Sequence, residues 1–249
     1  MVRVLLGWAR AATLAAVLQA GQAAADQVDL ELVLAIDISG SVDVDEFVLQ
    51  RSGYAAALLD PEVVAAIEAL PGGLALSALI WSGRRQQAVV IDWQQIESAA
   101  DAARAAAEMA RIDRSLLGET ALGEALAFAL RQLERSPFEA RRRTIDVSGD
   151  GKTNTGPEPD RLRDLAILQD ITINALAVID EQDDLVGYYE RHLIGGPGAF
   201  VMSVDDFADF AAAIREKLLL EIRGGPIARS PDRAPGARIT AAGRPRAAR

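Results

Sequence analysis

Short apolar runs alternate with longer segments of helical periodicity along most of this chain. The run at 28–36 starts with alternating apolar and polar residues and becomes continuously apolar, which is typical of a strand buried on both faces. After Thr120, apolar residues recur every three or four positions, which predicts an amphipathic helix. These residues are Leu122, Ala125, Leu126, Ala129, Leu130 and Leu133. The pattern as a whole predicts an alternation of strands and helices.

Six strands and six helices follow from this pattern. Strands are predicted at 28–36, 74–81, 87–92, 144–147, 171–179 and 198–202. Helices are predicted after Asp43, at 94–110, after Thr120, and at 159–169, 185–192 and 205–220. The short turn at 82–85 favours an antiparallel hairpin of the second and third strands. The alternation predicts an α/β fold with a doubly wound, mostly parallel six-stranded sheet, helices on both faces and one antiparallel edge strand.

The first helix has a start signal of its own. Asp43 is followed three residues later by Glu46, the spacing of a capping box. Phe47, Tyr54 and Leu58 then mark the face that we expect to pack against the sheet. A helix is therefore predicted directly after the first strand and the short loop that follows it.

The N-terminal end of the chain differs from its centre. Arg3 and Arg10 supply positive charge, residues 11–20 are apolar, and small alanines occupy 23–25. These features predict a secretory signal peptide over residues 1–25, cleaved before Asp26. The alternative is an N-terminal membrane anchor, for which the apolar stretch is shorter than the span of about 20 residues. A signal peptide implies a secreted, periplasmic protein.

The C-terminal end is basic, whereas the centre is acidic. Residues 223–249 carry seven Arg and one Asp among Pro, Gly and Ala, which predicts a basic disordered tail. Residues 1–25 carry two Arg, so the total charge of −10 leaves −18 for residues 26–222, the predicted folded domain. This acidity disfavours nucleic acid as the main partner. Three roles remain open for the tail: contact with anionic surfaces, contact with its own acidic domain, or no specific role.

The scarcity of two residue types excludes several kinds of site. The chain has no cysteine and one histidine, His192, so disulfides, thiolate sites and zinc sites built on several His or Cys are excluded. A Ser-His-Asp hydrolase would have to use His192, and no G-x-S-x-G motif accompanies it. No segment after residue 25 is long and apolar enough to predict a membrane span in the mature chain.

Oxygen side chains follow strand ends or precede helices in three segments. Asp37, Ser39 and Ser41 come directly after the first strand, Thr120 precedes the clearest helix, and Asp150 follows the fourth strand. Carboxylate and hydroxyl oxygens suit a hard cation such as Mg²⁺. The first segment alone is equally typical of a capped turn. Because ligands of such folds bind at the carboxyl ends of the strands, we expect the three segments to converge.

These motifs, in this order, resemble the von Willebrand factor type A domain and its metal-ion-dependent adhesion site (MIDAS). They are D-I-S-G-S at 37–41, G-E-T-A-L-G-E-A-L at 118–126 and D-V-S-G-D-G at 146–151, and the resemblance extends over almost all of 28–222. The stretches at 47–54, 188–189 and 194–201 resemble an uncharacterised family of secreted bacterial proteins within that superfamily.

The resemblance implies a role for each of five residues toward Mg²⁺ or Mn²⁺. Ser39 and Ser41 would ligate the ion through their hydroxyls. Thr120 would ligate it directly when a partner is bound and through water otherwise. Asp37 and Asp150 would hold coordinated waters, or one of them would ligate directly. The implied activity is that of a binding protein rather than an enzyme, gripping a carboxylate on a protein partner.

Two alternatives to this function stay open, together with two weaker groups of candidate residues. The chain could be a metal-dependent hydrolase, or its metal site could be purely structural. Lys152 and Asn154 follow Asp150 and are candidates for contact with a ligand. The acidic residues after the fifth strand could form a second cation site or a solvated loop; they are Asp180, Glu181, Asp183 and Asp184.

Overall fold

A single mixed sheet of seven strands organises this computed structural model, which describes residues 26–116, 118–179, 184–225 and 237–241. The strands are β1 Asp26–Asp37, β2 Leu74–Trp81, β3 Gln87–Ile96, β4 Phe138–Gly149, β5 Ile171–Val178, β6 Phe200–Val204 and β7 Arg238–Ala241. Their order is β3-β2-β1-β4-β5-β6-β7. The two outermost strands run antiparallel to their neighbours, and the other pairs are parallel. This architecture confirms the predicted doubly wound α/β fold.

The number of strands differs from the prediction. The sheet has seven strands rather than six and two antiparallel edges rather than one, because β7 pairs with β6, with Ile239 opposite Met202. This strand lies within 223–249, where the average composition predicts a disordered tail. Pairing covers backbone groups of β6 that would otherwise form an open sheet edge, and Ile239 packs against the core. The predicted signal peptide at 1–25 and the tail residues 226–236 and 242–249 lie outside the described residues.

Helices cover both faces of the sheet. They are α1 Val44–Leu59, α2 Pro61–Glu68, α3 Ala99–Met109, α4 Leu122–Glu134, α5 Asp160–Leu168, α6 Leu185–His192 and α7 Phe210–Arg223. Residues of α1, α2, α3 and α7 form one buried cluster with the sheet, and residues of α4, α5 and α6 form the other. Among the described residues no helix is both long and apolar enough to cross a membrane.

Helix α1 starts where its capping residues predict but is followed by a separate helix. The backbone N–H of Glu46 donates to Asp43 Oδ1 at 2.8 Å, and the Asp43 N–H donates to Glu46 Oε2 at 2.7 Å. Asp60 then ends α1 and caps α2, whose first residue is Pro61. Proline suits the first position of a helix because its missing N–H would have no partner there.

Strand β1 shows why the central run is apolar on both faces. Leu32 and Leu34 face the cluster that contains α1 and α7, whereas Val33 and Ala35 face the cluster that contains α4. From β1 the chain continues to β2, on one side of β1 in the sheet, whereas from β4 it continues to β5, which lies in the opposite direction. The β1–β4 boundary is therefore the switch point of the sheet, where such folds open a crevice at the carboxyl ends of their strands.

A fully buried group of charged residues lies between α7 and strand β4. Lys217 of α7 donates to Asp146 Oδ1 of β4, and to Glu221 Oε1 at 2.7 Å. The Lys217 ammonium also lies 5.4 Å from the ring centre of Phe200. Asn174 donates to Glu221 Oε1 at 3.2 Å. One cation thus serves two buried carboxyl groups.

The excess of carboxyl groups over cations shifts the protonation of Glu221. Burial, and then the charge of Asp146, raise the pKa of Glu221 from 4.5 to about 8. Between pH 4.5 and about pH 8, the native chain therefore keeps a proton on Glu221 that the unfolded chain has released. The stability that Glu221 contributes is complete below the unfolded pKa and is lost as the pH rises through the folded one.

Candidate metal centre

The loop after β1 gathers three of the predicted residues. Asp37, the last residue of β1, is fully buried, and its Oδ1 accepts a hydrogen bond from the Ser39 N–H at 2.7 Å. This turn brings the hydroxyl oxygens of Ser39 and Ser41 to 3.3 Å of each other. The Gly40 N–H donates to the Gly118 carbonyl at 2.8 Å, which joins this loop to the segment that carries Thr120.

Asp150 joins this group from the end of β4. The Ser41 hydroxyl donates to Asp150 Oδ1 at 2.7 Å. Burial, followed by the negative charge of Asp150, holds the pKa of Asp37 well above its usual range. The two carboxyl groups are thus close, buried and mutually repulsive.

Thr120 faces the same place from the loop before α4. Its N–H donates to Asn154 Oδ1 at 2.8 Å, and its carbonyl accepts from the Asn154 N–H at 3.0 Å. A Cβ added to Gly151 would lie 3.4 Å from Thr120 Oγ1, so this hydroxyl lies beside the turn that follows Asp150. The helix that follows is pressed against the 151–159 segment, since a Cβ on Gly123 would lie 2.2 Å from the Pro157 carbonyl oxygen.

An open cavity of about 510 Å³ lies above these residues. Ser41 and Thr120 line its wall, whereas Asp37 and Ser39 are fully buried. The full lining comprises Gly40, Ser41, Gly118, Glu119, Thr120, Gly151, Lys152, Thr153 and Asn154. The structure therefore brings the five predicted site residues to one end of the sheet and puts both candidate ligand contacts, Lys152 and Asn154, on the cavity wall.

Of the acidic residues after β5, the described one, Asp184, does not line this cavity. Asp184 is paired with Arg191 at 2.7 Å on the protein surface. Asp180, Glu181 and Asp183 lie outside the described residues.

The chemistry of the five residues fits a hard divalent cation. Carboxylate and hydroxyl oxygens are their only side-chain donors, and Mg²⁺ and Mn²⁺ prefer such oxygens. Asp37 Oδ2 is buried and has no hydrogen-bond partner among the described residues. A buried carboxylate oxygen in that situation is costly unless a positive charge or a donor reaches it. The proximity of Asp37 and Asp150 adds to this demand for positive charge.

A second group of potential ligands was not identified from the sequence. Ligand-type atoms of Glu158, Asp160 and His192 lie within 4.8 Å of one another. His192 Nδ1 is 2.9 Å from Asp160 Oδ1, and the Tyr188 hydroxyl donates to Glu158 Oε2. These contacts tie α6 to the segment after Asp150. The Tyr188-Tyr189 pair was the only part of this group within a motif that the sequence analysis singled out. The partners of Tyr188 and His192 lie about thirty residues away in the chain, so no local pattern points to them.

The comparisons agree with the resemblance seen in the motifs. A family model described as "Protein of unknown function (DUF1194)" matches residues 27–226. No curated protein matches the chain in sequence.

Several solved structures share the fold. Proximal thread matrix protein 1 from the mussel byssus has a TM-score of 0.61 at 11% identity, covering 78% of this chain and 48% of that one. Another structure of that protein, with a zinc-occupied MIDAS motif, has a TM-score of 0.59 at 16% identity, covering 78% and 46%. A von Willebrand factor type A structure from Catenulispora acidiphila has a TM-score of 0.56 at 20% identity, covering 78% and 43%. This chain matches less than half of each, and the likeness establishes the von Willebrand A fold.

Proposed function

The chain belongs to the DUF1194 family of proteins of unknown function, and from its von Willebrand A fold and the geometry above we propose that it is a metal-dependent binding protein. Its Mg²⁺ or Mn²⁺ would sit among Asp37, Ser39, Ser41, Thr120 and Asp150 and grip a carboxylate of a protein partner. The observation that carries the proposal is the buried Asp37 Oδ2, which has no hydrogen-bond partner among the described residues, beside a second carboxyl group.

The residues divide into those that hold the ion and those that face the partner. Asp37 and Ser39 are fully buried, so they can hold an ion but cannot meet another protein. Ser41 and Thr120 line the open cavity. With hydroxyl oxygens in most of the direct coordination positions, a bound cation would keep an open position at the cavity floor and part of its charge for an incoming carboxylate.

The hydrolase alternative has less support from the site. Metal-assisted hydrolysis needs a group that activates water, commonly aided by a positioned base. His192 does not line the cavity and is paired with Asp160 instead. Assays of the purified protein with generic phosphoester and peptide substrates in Mn²⁺ separate the two functions, because turnover that Asp37→Asn abolishes would favour the enzyme.

Substitutions at Thr120 are expected to separate partner binding from ion holding. Thr120→Val keeps the shape but removes the hydroxyl, so we expect at least a tenfold loss of partner affinity, roughly the value of one charge-assisted contact. Thr120→Ser keeps the hydroxyl and is expected to bind like the wild type. Crosslinking in the native cell envelope with and without chelator first captures the cation-dependent partner, and titration of that partner in Mg²⁺ then measures affinity.

Thermal unfolding of the same variants provides the control. Thr120→Val should keep most of the cation-induced rise in melting temperature, whereas Ser41→Ala should lose both that rise and partner binding. Partner binding by Thr120→Val at wild-type strength in Mg²⁺ would show that this hydroxyl does not serve the proposed mechanism.

We also propose that the protein is secreted and, in a bacterium with two membranes, periplasmic. The proposal follows from the charged, apolar and small-residue pattern of residues 1–25. Mass spectrometry of protein purified from the envelope is expected to find a mature chain that begins at Asp26. An intact Met1 in the membrane pellet would indicate an N-terminal anchor instead.

A further inference from the structure

Helix α6 contacts the segment that follows Asp150 at three points. The Tyr189 hydroxyl donates to the Gly151 carbonyl at 3.1 Å, next to Asp150. Farther along the same segment, the Tyr188 hydroxyl donates to Glu158, and His192 pairs with Asp160. One short helix thus bonds to both ends of the segment that runs from β4 to α5.

The contact made by Tyr189 lies directly beneath the proposed cation site. Tyr189 is fully buried. A Cβ added to Gly149 would lie 2.8 Å from the Tyr189 hydroxyl oxygen and 2.9 Å from Asp37 Oδ2, so both oxygens press against the same face of Gly149. The hydroxyl therefore lies close to both the carboxyl group at the end of β1 and the turn at the end of β4.

The polar tip of Tyr189 is not required for packing. A phenylalanine would fill the same volume, and burial of a hydroxyl costs free energy unless it is hydrogen-bonded. The hydroxyl offsets this cost by donating to the Gly151 carbonyl.

We infer that the Tyr189 hydroxyl is a positioning group of the cation site: by holding the Gly151 carbonyl it fixes Asp150 relative to Asp37. This inference rests on the proposed function for its effect on the ion, but the positioning itself does not depend on it. The charged ligands of such a site repel one another when no ion is present, so the turn needs a fixed support from below. Tyr189 supplies such a support from α6, at Gly151, whereas Ser41 and Thr120 hold Asp150 and Asn154 from the cavity side.

The test compares Tyr189→Phe with Tyr188→Phe. Each variant removes one tyrosine hydroxyl from α6, but Tyr188 bonds to the exposed Glu158, eight positions away from Asp150 in the chain, and reaches the turn only near Thr153. Isothermal titration with Mn²⁺ measures the dissociation constant of the ion. Hydrogen exchange in chelator measures how firmly the turn at 150–154 is held without any ion.

For Tyr189→Phe we expect a Mn²⁺ dissociation constant about tenfold higher than that of the wild type, which is the scale of one lost buried hydrogen bond. We also expect amide exchange at 150–154 to be about tenfold faster, with exchange in β1 and β5 unchanged. Tyr188→Phe should leave the Mn²⁺ affinity within about twofold of the wild type.

Other outcomes would overturn either the positioning role of Tyr189 or its effect on the affinity for the ion. Unchanged exchange at 150–154 in Tyr189→Phe would overturn the positioning role, whatever the ion does. Faster exchange with unchanged Mn²⁺ affinity would show that the hydroxyl supports the fold but not the site. A wild type that binds no Mn²⁺ would overturn the proposed function and the effect on affinity, and the exchange data would still decide the positioning role.

Discussion

Asp37→Asn is expected to stabilise the protein in chelator and to destabilise it in Mn²⁺. Without an ion, the substitution removes a buried acidic group whose ionisation is disfavoured by burial and by Asp150. It keeps an oxygen for the Ser39 N–H, so we expect a gain of about 1 kcal/mol. With Mn²⁺ at a hundredfold excess over its dissociation constant, only the wild type gains about 2.7 kcal/mol by mass action. Thermal unfolding of both proteins in the two buffers measures this reversal.

Glu119→Gln is the matched control for this experiment. Glu119 lines the same cavity but is not one of the proposed ligands. It should respond to Mn²⁺ as the wild type does, because its charge is exposed to solvent. An equal loss of the Mn²⁺ effect in both variants would mean that the cation acts through the general acidity of the domain. A full Mn²⁺ effect in Asp37→Asn would place the ion elsewhere.

Lys217→Met is expected to be among the most destabilising single substitutions in the core. Methionine keeps the apolar stem beside Phe200 but leaves Asp146 and Glu221 buried without their cation. Removing one partner of a buried ion pair costs about 3–5 kcal/mol. For a domain of this size, that loss lowers the melting temperature by roughly 10 °C. Thermal and denaturant unfolding measure the loss.

The pH dependence distinguishes the loss of charge from a packing defect. With Lys217 gone, burial of the carboxyl groups requires protons that the unfolded chain releases as the pH rises, so the loss should be larger at pH 9 than at pH 5. Adding Asp146→Asn and Glu221→Gln to Lys217→Met should restore most of the stability, because the buried charges are then absent. An equal loss at both pH values, without recovery in the triple variant, would indicate a packing defect instead.

The fold class was predictable because its signals are local. A strand buried on both faces must be apolar at consecutive positions, as β1 is, and α1 starts where Asp43 and Glu46 can cap it. The separate helix α2 had a signal as well, the Asp60-Pro61 pair. Strand β7 had none, because four residues in a basic, Pro- and Gly-rich segment do not change its average composition, and only the open edge of β6 orders them.

The residues of the candidate site were predictable from the sequence, but the buried contacts that hold them in place were not. The three motifs named Asp37, Thr120 and Asp150 because oxygen ligands, glycine turns and their order along the chain are visible in sequence. The contact of Tyr189 with Gly151 joins residues 38 positions apart, and that of Lys217 with Asp146 joins residues 71 positions apart. No local pattern encodes either contact.

By itself, the sequence determined which segments form the strands and helices other than β7, and which side chains can offer oxygen to a cation, since both follow from the chemistry and spacing of neighbouring residues. The tertiary structure decided which of those groups meet. The strand order places the ends of β1 and β4 side by side, and burial then leaves Asp37 Oδ2 without a partner among the described residues. The physical reason is that burial and charge proximity depend on strand register and on helices packed from distant parts of the chain.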